Sequence, residues 1–593
     1  MKRLWQFVRE LRRRRVFRVA GIYVVAAWVA VQVASESFPG LEVPDVAIRY
    51  VWIAAFLGFP LALVFGWRYD IATQGIVRTL PADPGTEVDL SLRRIDYVVL
   101  GLLAVMAAGV TYQLTVQISH ERQPKSVGVA KTEIRPNSIA VLPLENLSGN
   151  PEQAYFVNGM HEALIAYLSQ ISGFAVTSRT STKQFEGSDE PLRKIGRQLG
   201  VAKIIEGSVY RVSDRVRITV QLIDAETDEH LWAKNYERDL KNILQMQSEV
   251  ASDIAREVQV HLTPEETARR VRVREVNPLA YEAYLRGRFH ADRFTPQDHK
   301  LARQFFRTAV DIDPEYALAY VGLARISAQE ILNGPNPPRI VGPEWRKLVL
   351  HAVELDPNLA EAQHAIASYQ AWHEWDWGAA ESAFKRSIEL NPSYASARVF
   401  YSHFLTAMGR NDEAAVQIER ALELDPLNSF HQALYATQLV MVGQIDDAIE
   451  QFRKLYERDP GLGFGHGPFQ DALYRKGLYA ESFAEAKTKF NATGDHDSVD
   501  ALERGYAEGG ITEAMRNVAE LLEVRSRNKY VTPIRLVFAY DVAGETEKAF
   551  AWLEKAYEGR DPNMVYLAVL PFSDDFRKDA RFIEYLRRMK LPH

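Results

Sequence analysis

The sequence predicts a multidomain chain in three parts: a three-helix transmembrane anchor, an α/β domain built on one mixed sheet, and an all-α superhelix of repeated helical hairpins. Three observations carry this. Apolar runs near spanning length occur three times before residue 118, strand-like and helix-like segments then interleave, and from Asn277 onward the sequence repeats itself. With 593 residues there is chain for several domains, and 47% apolar with 25% charged residues is ordinary for folded protein. A net charge of -6 gives no reason to expect a nucleic-acid partner. The absence of cysteine excludes a disulfide framework, thiolate catalysis and Cys-ligated zinc.

The apolar runs are 19–34, 50–67 and 97–116, and the last matches the length a helix needs to cross a hydrocarbon core of roughly 30 Å. Lys2, Arg3, Arg9, Arg12, Arg13, Arg14, Arg15 and Arg18 precede the first run and would keep the start of the chain cytoplasmic. The loop after it carries Glu36, Glu42 and Asp45, whereas the next returns Arg68, Arg78, Arg93 and Arg94 to the inside. Three crossings place the remaining chain outside the cytoplasm. The expected location is therefore a bacterial inner membrane, multi-pass and membrane-embedded, with a periplasmic C-terminal bulk. Arg14-Arg15-Val16-Phe17 also looks like a twin-arginine export signal, but two further apolar runs follow at once, so an uncleaved anchor is the simpler reading. This gives a basic tail at 1–15, an anchor at 16–118 and a polar linker at 119–136.

The α/β domain is placed at 137–265. Ser138 to Leu144 reads as a strand closed by a turn at Asn146 to Pro151, and Phe156 to Leu168 has apolar residues at helical spacing. Phe174 to Ser178 is a second strand and Pro191 to Leu199 a short helix. Ile204 to Val212 and Val216 to Asp224 alternate about Ser213-Asp214-Arg215 as a hairpin, His230 to Tyr236 adds a strand, and Ile243 to Leu262 closes the domain as an amphipathic helix. His161-Glu162 begins like a zinc-protease helix, but that motif needs histidine where Ile165 stands, and both residues are expected on the helix's solvent side. Arg211, Asp214, Arg215 and Arg217 flank the hairpin as strand-end charges or a ligand rim.

The stretches SIAVLPLENLS, FVNGMHEALIAYLS, LGVAKIIEGSVYR and VRITVQLIDAETDEHLWAKNYERDL resemble, in order, the domain related to the amino-terminal domain of TolB and to the FlgO family. That domain occurs in bacterial membrane-anchored repeat proteins, some described as adenylate-cyclase-like. The resemblance implies an envelope interaction domain without established catalytic residues, so it carries no active site over to this chain.

Asp-Pro and Asn-Pro pairs recur at Pro314, Pro357, Pro392, Pro426 and Pro460, the last three intervals being 35, 34 and 34 residues. This is the tetratricopeptide (TPR) period. Tyr401, Ser402, Leu405, Gly409, Ala414, Ile418 and Ala421 recur 34 residues on as Tyr435, Ala436, Leu439, Gly443, Ala448, Phe452 and Leu455. Small residues allow helices to approach, glycine ends the first helix where φ is positive, and proline blocks continuation of the second. The third repeat gains a residue near Trp375-Asp-Trp377, and the Gly461 to Gly467 run lacks the Gly-Lys-Ser/Thr of a phosphate loop. The array is set at 277–565, about seven or eight repeats, with a C-terminal cap at 566–593.

Function is then expected to be non-enzymatic: a scaffold that binds protein or peptide ligands through the inner face formed by the first helix of each repeat. Stepping by the repeat length puts Tyr369, His403, Thr437 and Asp471 in one row and Trp372, Thr406, Val440 and Tyr474 in another. No catalytic residue, metal site or cofactor is expected, and the sequence leaves the oligomeric state open. The alternative is a transmembrane sensor or regulator that signals to a separate cytoplasmic effector such as a nucleotide cyclase or transcription factor.

Overall fold

The computed structural model describes residues 134–271, 275–291, 296–333 and 336–593, with scattered positions between 23 and 78. Two units are distinguished, 1–124 and 125–593.

In the first unit, β1 (Tyr69–Ala72) pairs antiparallel with β2 (Gly75–Arg78). Among the described residues no helix is long and apolar enough to cross a membrane. This overturns the three-helix transmembrane anchor, and with it the membrane-embedded and inner-membrane assignments and the periplasmic location deduced from them. An apolar run can also serve to pack one segment on another. Here the Tyr23 hydroxyl donates to the Ala55 carbonyl at 2.9 Å, and its ring lies 6.2 Å from that of Phe59. The run 97–116 lies outside the described residues, as do most positions of the other two.

In the second unit, alternation along the strands builds a mixed sheet. It comprises β3 (Arg135–Val141), β4 (Glu145–Asn146), β5 (Ala175–Val176), β6 (Val201–Val212), β7 (Arg215–Asp224) and β8 (His230–Asp239). The order is β5-β3-β6-β7-β8, with β4 also on β6. β3 runs parallel to β5 and β6, whereas β6-β7 and β7-β8 are antiparallel. Val216, Ile218, Val220 and Leu222 of β7 are fully buried at every second position, and Arg215 and Arg217 on either side of Val216 are exposed. That apolar face is covered by helices Ala154–Ser169 and Ile243–Glu257, through Phe156, Met160, Leu164, Met246, Val250 and Ile254. Ala140, Leu142 and Ile204 bury the other face against Ile195 and Leu199 of helix Leu192–Leu199. The hairpin turns at Ser213, whose φ of 53° matches the tight reversal.

Eight helical hairpins follow among the described residues, from Pro278–Ala291 with Pro296–Ile312 to Pro533–Val542 with Thr546–Glu558. The seventh is one helical stretch, His496–Arg525, broken at Gly509 and Gly510, the latter at φ 69°. Close approach inside a hairpin depends on the small residues of the repeat. Ala414 and Ala448 are fully buried, and Ser402 Oγ lies 2.7 Å from the Ala414 carbonyl. The extra residue before Trp377 is absorbed as a π-helical turn, Gln370–Glu374, which ends at Trp375 in the left-handed region (φ 60°).

The α/β domain and the array share one core. Phe156, Met160 and Leu168 belong to the same apolar cluster as Tyr281, Leu285, Phe306 and Trp345. Gly159 permits this, since a Cβ there would come within 2.5 Å of Leu285.

Candidate partner-binding surface

The inner-face rows are not an open surface. Tyr369, Trp372, His403, Thr406, Thr437 and Val440 are buried, and Asp471 and Tyr474 are half-buried. Each spends its side chain differently. Tyr369 packs edge-on to Trp345 of the preceding repeat at 5.2 Å and bonds the Glu374 carboxylate. Thr406 and Thr437 donate to the carbonyls four residues back, of Ser402 at 3.0 Å and Ala433 at 2.8 Å. Val440 packs among Val399, Leu439 and Leu473. At Asp471, burial raises the carboxyl to about 7 against the pull of Lys489 and Arg475, while burial lowers Lys489. Tyr474 faces Tyr479 at 5.5 Å.

Trp372 and His403 are brought together, and by a residue from the far end of the chain. Tyr566 closes the 3-10 turn Pro562–Tyr566. Its hydroxyl accepts from Trp372 Nε1 at 3.1 Å and lies 3.4 Å from His403 Nδ1. His403 Nε2 lies 3.0 Å from the Leu434 carbonyl, to which only an N–H can bond. The imidazole is neutral, its pKa lowered to about 4 by burial, so Nδ1 is the acceptor for the tyrosine proton. One relay of donors thus runs from Trp372 through Tyr566 and His403 to Leu434. Phe384 and Phe400 stand edge-on to the indole at 6.1 and 5.6 Å.

The turn divides its side chains between two cores. Val565 is buried with Trp372, Phe384, Tyr401 and Phe404, and Tyr566 packs against that cluster. Met564 and Leu567 are buried instead with Tyr540, Leu553 and Phe576 of the C-terminal repeat and cap. Asp561 anchors the turn by accepting from the backbone N–H groups of Ile534 and Asn563, both at 3.0 Å. Nearby, Trp377 Nε1 donates to the Met589 carbonyl at 2.8 Å, and the Arg560 guanidinium stacks on Trp375.

The α/β domain occupies other parts of the array. Glu162 pairs with Arg288 and Arg211 with Glu282 on the first repeat helix, where Gln247 also donates to the Tyr281 hydroxyl at 2.9 Å. At the turns between later repeats, Ser178 N donates to the Leu424 carbonyl and Ser181 Oγ to Asp425 Oδ1, at 2.8 and 2.7 Å. His161, expected on the solvent side of its helix, is instead buried. Its Nε2 donates to the Val141 carbonyl at 2.7 Å, and burial lowers its pKa to about 4. The reason is that this side of the helix lies against Val141 of β3 and beside Thr182, so that the expected polar face is a packing face.

One arrangement has the outline of a hydrolytic triad. Ser396 Oγ lies 3.3 Å from His431 Nε2, and His431 Nδ1 is 3.1 Å from Asp425 Oδ2. The carboxylate, however, is committed to Ser181 and to Asn428 Nδ2 (2.6 Å), and His431 Nδ1 makes no aligned hydrogen bond. Asn428 in turn caps the next helix by accepting from His431 N at 3.1 Å. This is a joint between repeats and domain. Among the described residues no three His, Asp or Glu side chains are grouped to hold a metal ion.

Residues 135–253 match the family model of the second domain of HilA/YgeH-like transcriptional regulators, and residues 371–437 match a tetratricopeptide repeat model. The "Putative adenylate cyclase 3" of Rhizobium meliloti (strain 1021) is 36% identical over 238 residues, which are 40% of this chain and 40% of that protein. The chain thus spans two fifths of the length of that curated relative. Among solved structures, a thermophilic TPR protein of Thermus thermophilus is 17% identical, covering 33% of this chain and 99% of its own, with a TM-score of 0.28. Yeast Tom70 is 15% identical, covering 52% and 64%, with a TM-score of 0.32. Both scores are low, and the repeat assignment rests on the 34-residue period and the matched repeat model. The chain carries TPR repeats.

Proposed function

We propose that this chain is a non-enzymatic scaffold whose repeat array and α/β domain hold protein or peptide partners. The observation that carries this is the TPR array itself, since stacked helical repeats build extended inner surfaces suited to binding chains. The α/β domain's likeness to TolB amino-terminal and FlgO domains supports an interaction role for it as well. Within the array, Asp471 and Tyr474 are the half-buried members of the two rows, Tyr474 resting against the C-terminal core, whereas Trp372 and His403 are covered by Tyr566. A second reading, a regulator acting through a separate nucleotide cyclase or transcription factor, is favoured by the names of the two matches to HilA/YgeH-like regulators and the Rhizobium cyclase.

The test is to crosslink the chain to its partner in cells, identify the partner, and measure its affinity for Tyr474→Ala beside Glu419→Ala, an exposed position on a second helix. Tyr474→Ala is expected to weaken binding by about 2 kcal/mol, roughly thirtyfold. Equal affinities for the two variants, with circular dichroism unchanged, would remove the inner face from consideration. ATP and Mn²⁺ supplied to the same preparation should give no cyclic nucleotide, and turnover that survives repurification would replace the scaffold by an enzyme.

A further inference from the structure

We propose that a cleft at the joint between the sheet and the repeats binds a phosphate group, as the free ion or as a small phosphomonoester. The cleft is walled by Arg135 at the start of β3, Thr177 just past β5, Gly200 at the entry to β6, and Arg420 and Glu423 near the end of helix Asn411–Leu424. Within it the centres of water-sized molecules can range over about 20 Å³, more than one water requires. A compact group of a few heavy atoms therefore fits, and a nucleoside does not. The cleft also opens to solvent, so the rest of a small ester has a way out.

Its charges are unequal. Glu423 Oε2 accepts from both Arg135 Nη2, at 3.2 Å, and Arg420 Nη1, at 2.5 Å. Two guanidiniums thus share one carboxylate oxygen, and among the described residues neither makes another side-chain hydrogen bond, so each keeps donors to spare. A third guanidinium, Arg398, adds its charge from the neighbouring helix Ala395–Ala407. It donates only to neutral acceptors, the Pro392 carbonyl at 2.9 and 3.1 Å and Gln417 Oε1 at 2.8 Å. Burial first, and then the charges of Arg420 and Arg135, push Arg398 down to about 10. Three positive groups against one negative leave two charges uncompensated, and a phosphate at neutral pH carries close to two of the opposite sign. A carboxylate would supply one.

Thr177 is an independent sign of a ligand. The residue is only 2% exposed and lines the cleft, yet among the described residues its hydroxyl has no hydrogen-bond partner. A buried hydroxyl left unbonded costs free energy that a ligand oxygen recovers. Because Arg135 belongs to the sheet and Arg420 to the array, a phosphate held by both ties the two together and stabilises the folded chain by mass action.

Glu423 is the one acidic group lining the cleft, and its neutralisation gives the sharpest test. Isothermal titration of the full chain with sodium phosphate at constant ionic strength is expected to show binding. Glu423→Gln should tighten it about tenfold, since this frees both arginines and adds to the uncompensated charge. Misfolding does not produce such a gain. Arg420→Gln should weaken binding about tenfold or more, and Thr177→Val by less, with circular dichroism unchanged. No binding to the unaltered chain and to Glu423→Gln alike would overturn the proposal. Equal affinities across the unaltered chain, Glu423→Gln and Arg420→Gln would also overturn it, because the ion would then sit elsewhere. If Arg420→Gln does not fold, the comparison with Glu423→Gln decides alone. Acetate binding as tightly as phosphate would overturn phosphate as the ligand. Glycerol phosphate distinguishes the sources: tighter binding than phosphate assigns the site to a phosphorylated metabolite, weaker binding assigns it to the free ion, and either upholds the cleft as a phosphate site. The scaffold reading does not depend on any of these outcomes.

Discussion

Acidification from pH 7 to pH 4 is expected to lower the melting temperature steeply, through histidines buried in the neutral form. His161, His364 and His403 are each lowered to about 4, by burial above all. A histidine whose folded pKa lies below its unfolded value of 6.5 favours the unfolded chain as it takes up protons. The stability it confers is complete above pH 6.5 and is lost as pH falls through 4. At about 1.4 kcal/mol per pKa unit, the loss is roughly 3 kcal/mol for each histidine at the low end. Asp425 and Asp495, both lowered, lose their contributions in the same direction further into acid. Asp471, raised to about 7, and Glu361 and Asp561, also raised by burial, act oppositely, so they offset part of the fall. Melting curves at pH 7, 6, 5 and 4 test this, and His161→Gln, which keeps a donor for the Val141 carbonyl, should flatten the dependence. A midpoint that is constant between pH 7 and 5 would contradict it.

Replacing Phe306 with alanine is expected to cost about 3–5 kcal/mol. The ring is fully buried and wedged between two first helices of the array. A Cβ added at Gly287 would meet it at 2.6 Å, and one at Gly322 at 2.7 Å. At those two contacts the neighbours are glycines, which have no side chain to relax into the vacated volume. The cavity should persist and the cost should fall at the upper part of the range. Urea unfolding followed by tryptophan fluorescence would show it, and a loss below about 1 kcal/mol would mean that the helices close over the gap. The same ring lies in the core shared by the α/β domain and the repeats, so the variant should loosen both.

What could be read from the sequence was what is local. Alternation located β6 and β7 and their turn at Ser213, and the 34-residue period located the paired helices, Gly409 and Gly443 taking the positive φ expected of them. The single extra residue before Trp377 was visible as an interruption and became a π-helical turn. The inner-face residues were found by stepping along the period, but the period says nothing about what lies opposite. Tyr566 meets Trp372 across 194 residues and His403 across 163, and no spacing rule connects positions so far apart. His161 was misjudged for a related reason: its partners, the Val141 carbonyl and the Thr182 hydroxyl, lie on other elements 20 and 21 residues away, and helical spacing does not show them. The apolar runs near the start were weighed by length and hydropathy alone, and those quantities do not distinguish a membrane from protein as the surrounding medium.

The divided turn at 562–567 also changes how the array should come apart. A linear stack of repeats frays from its ends, because each terminal unit has one neighbour. Here the terminal unit has two, its predecessor in sequence and the middle repeats clasped by Val565 and Tyr566. The stack is closed into a loop, so the last repeat cannot unravel alone. Amide protons of Pro533–Val542 and Thr546–Glu558 should exchange as slowly as those of Ala395–Ala407, and Tyr566→Ala should restore the gradient of protection that an open stack would show. Fast exchange of the last repeat in the unaltered chain would mean that the clasp contributes nothing to the array's cooperativity.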